Sequence, residues 1–267
     1  MSGKVLFTLP IGDDGSITVT EPAEAVYLLT FISQVDNRLR TPFCQAFTLA
    51  LDILELEYQP GVVVTTSSSP KFFSNGLDLE HAASTPGFYN DSLFALYSRL
   101  ASYPMPTVAL VNGHAFAGGM MLALHHDYRV FNPKRGYLCM NEVEFGAPLK
   151  PAMLAVFEAK VSPKHYRNII LEAHRYNGPQ ALEAELVDKL GGLEQALELI
   201  EERKLVDKPR SGVYGVLKEQ MYRKTLHDLA TWDAQNDQEA EAKDEASAKA
   251  KKEARVAAWK SGGKAKL

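Results

Sequence analysis

Residues Thr107–Pro148 read TVALVNGHAFAGGMMLALHHDYRVFNPKRGYLCMNEVEFGAP and change pattern several times within a short segment. The apolar run Thr107–Val111 predicts a buried strand, and Asn112-Gly113 ends it. The small residues 117–119 then lead into a helical apolar run at Met120–Leu124. A strand that turns through glycine into a helix presents free backbone N–H groups at the helix start, where they bind developing negative charge.

The second half of this segment supplies a carboxylate. The apolar runs Tyr128–Phe131 and Tyr137–Met140 predict two further strands, and the second is followed by Asn141-Glu142-Val143-Glu144. Backbone donors together with a base are the minimum equipment for enolate chemistry.

Composition excludes several classes of protein. The chain has 267 residues, 46% of them hydrophobic and 23% charged, which is typical of a globular protein with one large core, or with a core and an appendage. A net charge of −4 gives no reason to expect a nucleic-acid partner, and the histidines are scattered without metal-ligand spacing. Cys44 and Cys139 lie far apart and indicate a reducing compartment rather than a disulfide framework. The sequence contains no apolar run of the ~18–20 residues that a membrane span needs, and no signal-peptide pattern.

Elsewhere the chain alternates between predicted strands and helices, which indicates an α/β fold. Lys4–Leu9 and Ile17–Thr20 predict a hairpin, and Val26–Phe31 predicts a strand buried on both faces. Thr41-Pro42 is a suitable N-cap and first position for a helix that runs to about Leu56. Further predicted elements are the strand Val62–Thr65, the polar loop Ser67–Gly76, an irregular stretch from Asp78 to Ser84, the helix Leu93–Ser102 and helices opening at Ser162-Pro163 and Gly178-Pro179.

Strand patterns stop at Leu193. Leu193–Lys204 is amphipathic, and Val213–Trp232 carries apolar residues at helical spacing. From Ala234 the chain is rich in alanine and charged residues, which predicts a solvated helix or a partly disordered extension.

Three segments resemble the crotonase (enoyl-CoA hydratase/isomerase) superfamily. Ser67–Leu79, SSSPKFFSNGLDL, is similar to the loop that supplies the family's first oxyanion-hole N–H, which falls on Leu77. Pro106–Asp127 is similar to the second motif and places the second N–H on Gly118, while Gly178–Gly191 extends the likeness. The resemblance implies a spiral of ββα units that forms a core with the acyl-CoA site over residues 1–205. Residues 206–267 would then supply C-terminal helices that form a trimer, followed by the charged tail and a targeting tripeptide.

The family's acids then indicate the reaction. Hydratases of the family use two glutamates, and the position of the first is occupied here by Met121, which does not transfer protons. The second matches Glu142, allowing one inserted residue, as in Δ3,Δ2-enoyl-CoA isomerases. The resemblance thus implies an isomerase in which Glu142 removes the C2 proton and returns it at C4. Glu144 is the rival base, since it shares a strand face with Glu142 if the strand persists.

The resemblance also implies a fatty acyl-CoA thioester as substrate, with CoA arriving as part of it and no metal or redox cofactor. Expected substrate contacts are Arg38 and Lys71 by charge and Met121 as pocket wall. Others expected from their place in the matching loops are Asn37, Asn75, Gly76 and Asp78.

The final tripeptide Ala265-Lys266-Leu267 resembles a peroxisomal address. We therefore expect peroxisomal localisation and an import receptor as partner, besides a homotrimer or hexamer. Two alternatives remain open. One is another crotonase-type activity (dienoyl-CoA isomerase, hydrolase or hydratase), and the other is a non-catalytic acyl-CoA-binding protein.

Overall fold

The protein is described from a computed structural model, which covers residues 3–13, 15–235 and 238–260. The described residues form a seven-stranded and a three-stranded sheet. The order in the large sheet is β1-β2-β3-β4-β6-β8-β10, and in the small one β5-β7-β9. The strands are β1 (Lys4–Ile11), β2 (Gly15–Ala23), β3 (Val26–Ser33), β4 (Val62–Ser67), β5 (Phe72–Ser74), β6 (Thr107–Val111), β7 (His114–Phe116), β8 (Tyr128–Phe131), β9 (Leu138–Cys139) and β10 (Lys189–Leu190).

The chain climbs through both sheets as a spiral. After the antiparallel strands β1, β2 and β3, the large sheet continues in parallel through β4, β6, β8 and β10. Each of β4, β6 and β8 is followed by a short strand of the small parallel sheet, and helical segments follow that strand. The predicted α/β fold with a spiral of ββα units is confirmed.

Thirteen α-helices surround the sheets in the described ranges. A seven-residue π-helix (Phe88–Phe94) and a 3₁₀ helix (Leu205–Ser211) complete the set. The α-helices are α1 (Thr41–Glu57), α2 (Leu79–Ser84), α3 (Ala95–Ser102), α4 (Gly118–His125), α5 (Glu142–Phe145), α6 (Pro151–Lys160), α7 (Pro163–Glu172), α8 (Gly178–Glu183), α9 (Leu193–Glu202), α10 (Tyr214–Met221), α11 (Arg223–Ala230), α12 (Trp232–Gln235) and α13 (Gln238–Lys260).

Two apolar cores lie on opposite faces of the large sheet. On β4, Val63 belongs to the larger core, while its neighbours Val62 and Val64 pack in the smaller core with α9. Side chains of a strand alternate between faces, so a strand covered on both faces reads as a continuous apolar run.

Three local predictions need correction. On β3 the buried residues alternate with half-buried ones such as Leu28 and Thr30, because its second face is only partly covered. The N-cap of α1 is Arg40 rather than Thr41. The stretch expected to be irregular contains α2, whose N-cap Asp78 accepts a hydrogen bond from the His81 N–H at 3.0 Å.

The C-terminal helices pack against the core as far as α12. Lys218 on α10 is 3% exposed and forms an ion pair with Asp127 at 2.9 Å, and Trp232 on α12 is 6% exposed. Residues 243–260 of α13 are exposed, which agrees with the solvated-helix alternative. None of the helices in the described ranges has the length and apolar character needed to cross a bilayer. The tripeptide Ala265-Lys266-Leu267 lies outside the described residues.

Candidate active site

A cavity of about 360 Å³ opens between the loop after β5, the start of α4, and α5. This volume is in the range of small-molecule sites. The wall brings together six of the residues singled out from the sequence: Leu77, Gly118, Glu142, Arg38, Asn75 and Met121.

One side of the cavity is the loop that follows β5. Gly76 has φ of +82°, and a Cβ built on it would lie 2.8 Å from Phe116 O and 3.1 Å from Gly118 N. Glycine is therefore required twice here, for its backbone conformation and for the close approach of the two loops. The next residue, Leu77, is held through its carbonyl, which accepts a hydrogen bond from Arg38 Nη1 at 2.9 Å.

The opposite side is the start of α4. Ala117, its N-cap, has φ of 51° and ψ of −125°, a conformation that is costly for any residue except glycine. Its N–H donates to Cys139 O at 2.8 Å, which ties the turn to β9. The Tyr97 hydroxyl donates to Gly118 O at 2.8 Å. These contacts fix the peptide group before Ala117 and the peptide group after Gly118.

Two backbone donors remain without a protein partner at this junction. Within the described part of the chain, neither the Leu77 N–H nor the Gly118 N–H donates to a protein acceptor. Both residues line the same cavity, and their loops are in van der Waals contact. Such a pair is suited to bind an oxygen atom on which negative charge develops.

Glu142 is the first residue of α5 and the carboxylate of the cavity wall. Its side chain is buried, and Oε2 has no hydrogen-bond partner among the described residues. Desolvation raises the pKa of Glu142 from 4.5 to about 7, although backbone hydrogen bonds from residues 141 and 142 oppose the shift. A carboxyl group with a pKa near neutrality exchanges a proton efficiently at physiological pH.

Glu144 does not share a face with Glu142, because the strand that would place them on one face ends before Glu142. The strand β9 ends at Cys139 and α5 begins at Glu142, so the two glutamates lie about 200° apart around a helix. Glu144 is exposed and pairs with Arg175 at 3.1 Å. The alternative base therefore points away from the cavity.

Arg38 and Asn75 border the cavity and are joined through Asp36. The Arg38 Nε and the Asn75 Nδ2 both donate to Asp36 Oδ2, at 2.9 and 2.8 Å. The Arg38 side chain remains 35% exposed, so a partly solvated cation stands beside the Leu77 loop. Met121 lines the same cavity with an apolar side chain.

Two of the other predicted contact residues act inside the scaffold. Asn37 is completely buried. Its Oδ1 accepts a hydrogen bond from the Ser33 N–H, and its Nδ2 donates to Ser67 Oγ and to two backbone carbonyls. Gly76 is buried and does not line the cavity. Neither of these two residues is part of the cavity wall in this structure, because both hold the loop from within.

Lys71 and Asp78 also lie away from the cavity wall. Lys71 is exposed and its ammonium lies 5.1 Å from the centre of the Phe72 ring. Asp78 caps α2 and accepts a hydrogen bond from Arg40 Nε at 2.6 Å. The hydrogen bond from the His81 N–H and the nearby Arg40 lower the pKa of Asp78. This carboxylate therefore stabilises the start of α2 rather than the cavity.

Sequence reasoning missed Tyr97. Tyr97 is buried with its ring stacked on His125, and its hydroxyl is the one that bonds Gly118 O. No local pattern distinguishes it from other apolar helix positions. Burial lowers the pKa of His125 and His126 to about 3, so both imidazoles are neutral.

In residues 3–13, 15–235 and 238–260 no three or more His, Cys, Asp or Glu side chains come together in a manner suited to a metal ion.

Comparisons with known proteins agree on one family. The sequence matches the profile of the enoyl-CoA hydratase/isomerase family over residues 21–262. Enoyl-CoA delta isomerase 1, peroxisomal, of Arabidopsis thaliana is 31% identical over 218 residues, 77% of this chain and 90% of the relative. Enoyl-CoA delta isomerase 3 of the same plant is 30% identical over 210 residues, 74% of this chain and 88% of the relative.

Solved structures share the fold. Human mitochondrial delta3-delta2-enoyl-CoA isomerase superposes with a TM-score of 0.72 at 24% identity, covering 82% of this chain and 88% of that one. An enoyl-CoA hydratase/isomerase family protein from Pseudomonas syringae also gives 0.72, at 22% identity, and covers 82% and 97% of the two chains. At these identities the likeness shows the architecture alone.

Proposed function

Since the chain belongs to the enoyl-CoA hydratase/isomerase family, we propose that it moves the double bond of a 3-enoyl-CoA to position 2 by a 1,3 proton transfer. The observation that carries this proposal is the composition of the cavity wall. Glu142 is its one carboxylate among the described lining residues, and Met121 stands where a hydratase of the family would carry a second acid.

The reaction begins with the thioester carbonyl oxygen between the N–H groups of Leu77 and Gly118. The Glu142 carboxylate takes a proton from C2, and the electron pair of that C–H bond moves toward the carbonyl to form a dienolate. The two N–H groups stabilise the charge on oxygen, and loss of one such donor typically costs ~10²–10³ in rate. Glu142 then returns the proton to C4 while the new double bond forms between C2 and C3, so atoms and charge balance.

The apolar surroundings of Glu142 serve both proton transfers. A raised pKa makes the carboxylate a stronger base than a solvated glutamate, and it keeps the carboxylic acid capable of releasing its proton again. The mechanism needs no metal or redox cofactor, and CoA enters as part of the substrate. Arg38, partly exposed beside the Leu77 loop, is the cation that we assign to a phosphate of the CoA moiety.

A side-by-side spectrophotometric assay tests the proposal. The protein should convert a 3-enoyl-CoA and leave a 2-enoyl-CoA unhydrated, because water addition requires a second acid–base group. Consumption of the 2-enoyl-CoA would identify a hydratase instead. Inactivity on both, with acyl-CoA binding retained, would identify a non-catalytic binder.

We propose oxidation of unsaturated fatty acids in peroxisomes as the setting. Support comes from the names of two of the plant relatives, which include the word peroxisomal, and from the resemblance of the final tripeptide to a peroxisomal address. A fluorescent protein fused to the N-terminus should co-localise with a peroxisomal marker through an import receptor, and deletion of Leu267 should leave it in the cytosol. Unchanged import after the deletion would contradict the role of the tripeptide.

We further propose assembly as a homotrimer or hexamer. The helix α10 carries three exposed apolar side chains: Val216 at 57%, Leu217 at 63% and Met221 at 66%. An oligomer interface would remove this apolar surface from water. Truncation after Lys204 should give monomers or aggregates in light scattering, whereas truncation after Ala234 should keep the parent's oligomer.

A further inference from the structure

The helix α13 has no role in the reaction proposed above. It has 23 residues, which correspond to about 34 Å of helix at 1.5 Å per residue. Every residue from Lys243 to Lys260 is exposed, so the core of its own chain does not cover this part of the helix. A helix that is polar all round is typically stabilised by ion pairs along its own surface, or it bridges to another folded unit.

One face of α13 carries an acidic pair and a basic pair with an alanine between them. Asp244 and Glu245 precede Ala248 by four and three residues, and Lys251 and Lys252 follow it by three and four. Residues three, four and seven apart share one face of a helix, so these five residues form a stripe, which we call the charged stripe. Ala248 is the eleventh of the 23 residues of α13, and the stripe is therefore centred close to the midpoint of the helix.

The charges of the charged stripe do not neutralise one another within the helix. Two turns, about 10 Å along the axis, separate Asp244 from Lys251 and Glu245 from Lys252. In the part of the chain that the structure describes, none of these four side chains forms an ion pair. Lys251 and Lys252 also precede Arg255 by four and three residues, and like charges at this spacing destabilise an isolated helix. The stripe is therefore electrostatically incomplete in a single chain.

A second copy of α13 in the antiparallel direction supplies the missing charges. When two copies cross at Ala248, the acidic pair of each lies opposite the basic pair of the other, and each copy contributes its two acids to ion pairs with the partner. The same patch then faces itself across a two-fold axis, which is the isologous contact of a symmetric dimer. A parallel alignment would place acid on acid and lysine on lysine. The small side chain of Ala248 allows the two helix axes to approach closely at the crossing point.

Other classes of partner match only half of the charged stripe. An anionic membrane surface or a nucleic acid would attract Lys251 and Lys252 and repel Asp244 and Glu245. The two pairs are about 10 Å apart, which is about one Debye length at 0.1 M salt, so the repulsion would not be screened away. An antiparallel copy of α13 is complementary to both halves.

We propose that α13 is a self-association surface, which binds the α13 helix of a second copy of this chain in the antiparallel direction through the charged stripe. Each exposed ion pair contributes little, so a single pair of helices associates weakly. An oligomer held together by α10 would present several α13 helices at once, and multivalency would strengthen the contact between two such oligomers. Association between oligomers should therefore grow with protein concentration and weaken with salt.

Sedimentation velocity of the full chain over a concentration series tests the proposal. The mean sedimentation coefficient should rise with concentration at low salt. The association constant should fall at least about tenfold between ionic strengths of about 0.02 M and about 0.5 M, because salt screens exposed ion pairs. Truncation after Ala234 should abolish the concentration-dependent rise and leave the α10-dependent oligomer intact. A truncated protein that associates as strongly as the full chain would overturn the proposal.

Charge reversal within the charged stripe provides matched variants. Lys251→Glu with Lys252→Glu makes both ends of the stripe acidic, and Asp244→Lys with Glu245→Lys makes both ends basic. Each double variant alone should lose self-association, whereas an equal mixture of the two should regain it, since every acid then meets a lysine. The variant with all four changes keeps the net charge of the parent and its self-complementary pattern, and it should associate like the parent.

The outcomes that would contradict the proposal are distinct. A mixture that associates no more than either double variant would overturn it, and so would loss of association in the variant with all four changes. A parent that does not self-associate but binds vesicles of anionic phospholipid, with binding lost in Lys251→Glu/Lys252→Glu, would assign the basic half to a membrane surface instead. The substituted side chains are exposed, so the core is undisturbed. None of these measurements involves acyl-CoA, and their failure would leave the proposed function untouched.

Discussion

Replacing Glu142 by glutamine separates the chemistry of the site from its stability. The substitution keeps the size of the side chain and removes the titratable group. Loss of a positioned general base typically costs ~10²–10⁴ in rate. Double-bond migration should fall by this factor, while the affinity for a saturated acyl-CoA should stay within about twofold.

The same substitution should stabilise the protein at alkaline pH. The folded protein holds a proton on Glu142 up to a pH of about 7, whereas the unfolded chain releases it near 4.5. The folded state therefore binds more protons between these values, and its stability falls as the pH rises through them. A shift of this size corresponds to about 3 kcal/mol. Glu142→Gln should be more stable than the parent by roughly that amount at pH 8, and by much less at pH 4.5, in urea unfolding.

The catalytic activity of the parent should also depend on the protonation state of Glu142. Activity should rise with pH over the range in which stability falls. Only the ionised form takes a proton, so kcat/KM should fall about tenfold per pH unit below pH 7. Glu144→Gln is the matched control, since Glu144 is exposed and paired with Arg175. An inactive 144 variant beside an active 142 variant would mean that the base is misassigned. Full activity in both would refute a single-base mechanism.

Two further substitutions test the scaffold. Gly76→Ala should lower kcat ~10²–10³-fold, because its Cβ would crowd Phe116 O and Gly118 N. Gly146→Ala is the control and should leave kcat unchanged, since Gly146 has a similar φ of +75° but no atom lies within 4 Å of the added Cβ. Equal effects of the two would show that backbone strain, rather than the donor pair, is responsible. Lys218→Met should cost about 3–5 kcal/mol in urea unfolding, because the Asp127 side chain, which is only 9% exposed, loses its counter-ion. Lys224→Met, from a 69% exposed site, should cost less than about 1 kcal/mol.

The backbone donors and the glutamate of the cavity could be predicted from the sequence. Leu77 and Gly118 were assigned because two glycine-containing segments resemble the loops that supply the oxyanion-hole N–H groups in the crotonase superfamily. The structure brings both residues and Glu142 to one cavity wall. Their catalytic roles stay predictions until the substitutions are measured.

Other features depend on contacts between distant parts of the chain. The side-chain amide of Asn37 donates a hydrogen bond to Ser67, thirty residues away. No local sequence pattern distinguishes such an amide from one that faces a ligand. The separation of Glu142 from Glu144 follows from a break after Cys139, where the chain leaves the sheet and turns into α5. A strand pattern of only a few residues does not define where the strand ends.

A substitution at Met121 tests why the cavity contains one acidic side chain rather than two. It lies one helical turn after Gly118 and lines the same cavity as Glu142. In Met121→Glu, two carboxyl groups would share apolar surroundings, and mutual repulsion would keep one protonated while the other ionises. That is the acid–base pair that water addition requires.

The variant should therefore hydrate a 2-enoyl-CoA at least about tenfold faster than Met121→Gln, which has the same shape without a titratable group. Its isomerase activity should fall, because the neighbouring carboxyl raises the pKa of Glu142 further and leaves less of the base ionised near pH 7. A folded Met121→Glu protein that binds acyl-CoA but hydrates no faster than Met121→Gln would show that this position does not decide between isomerisation and hydration.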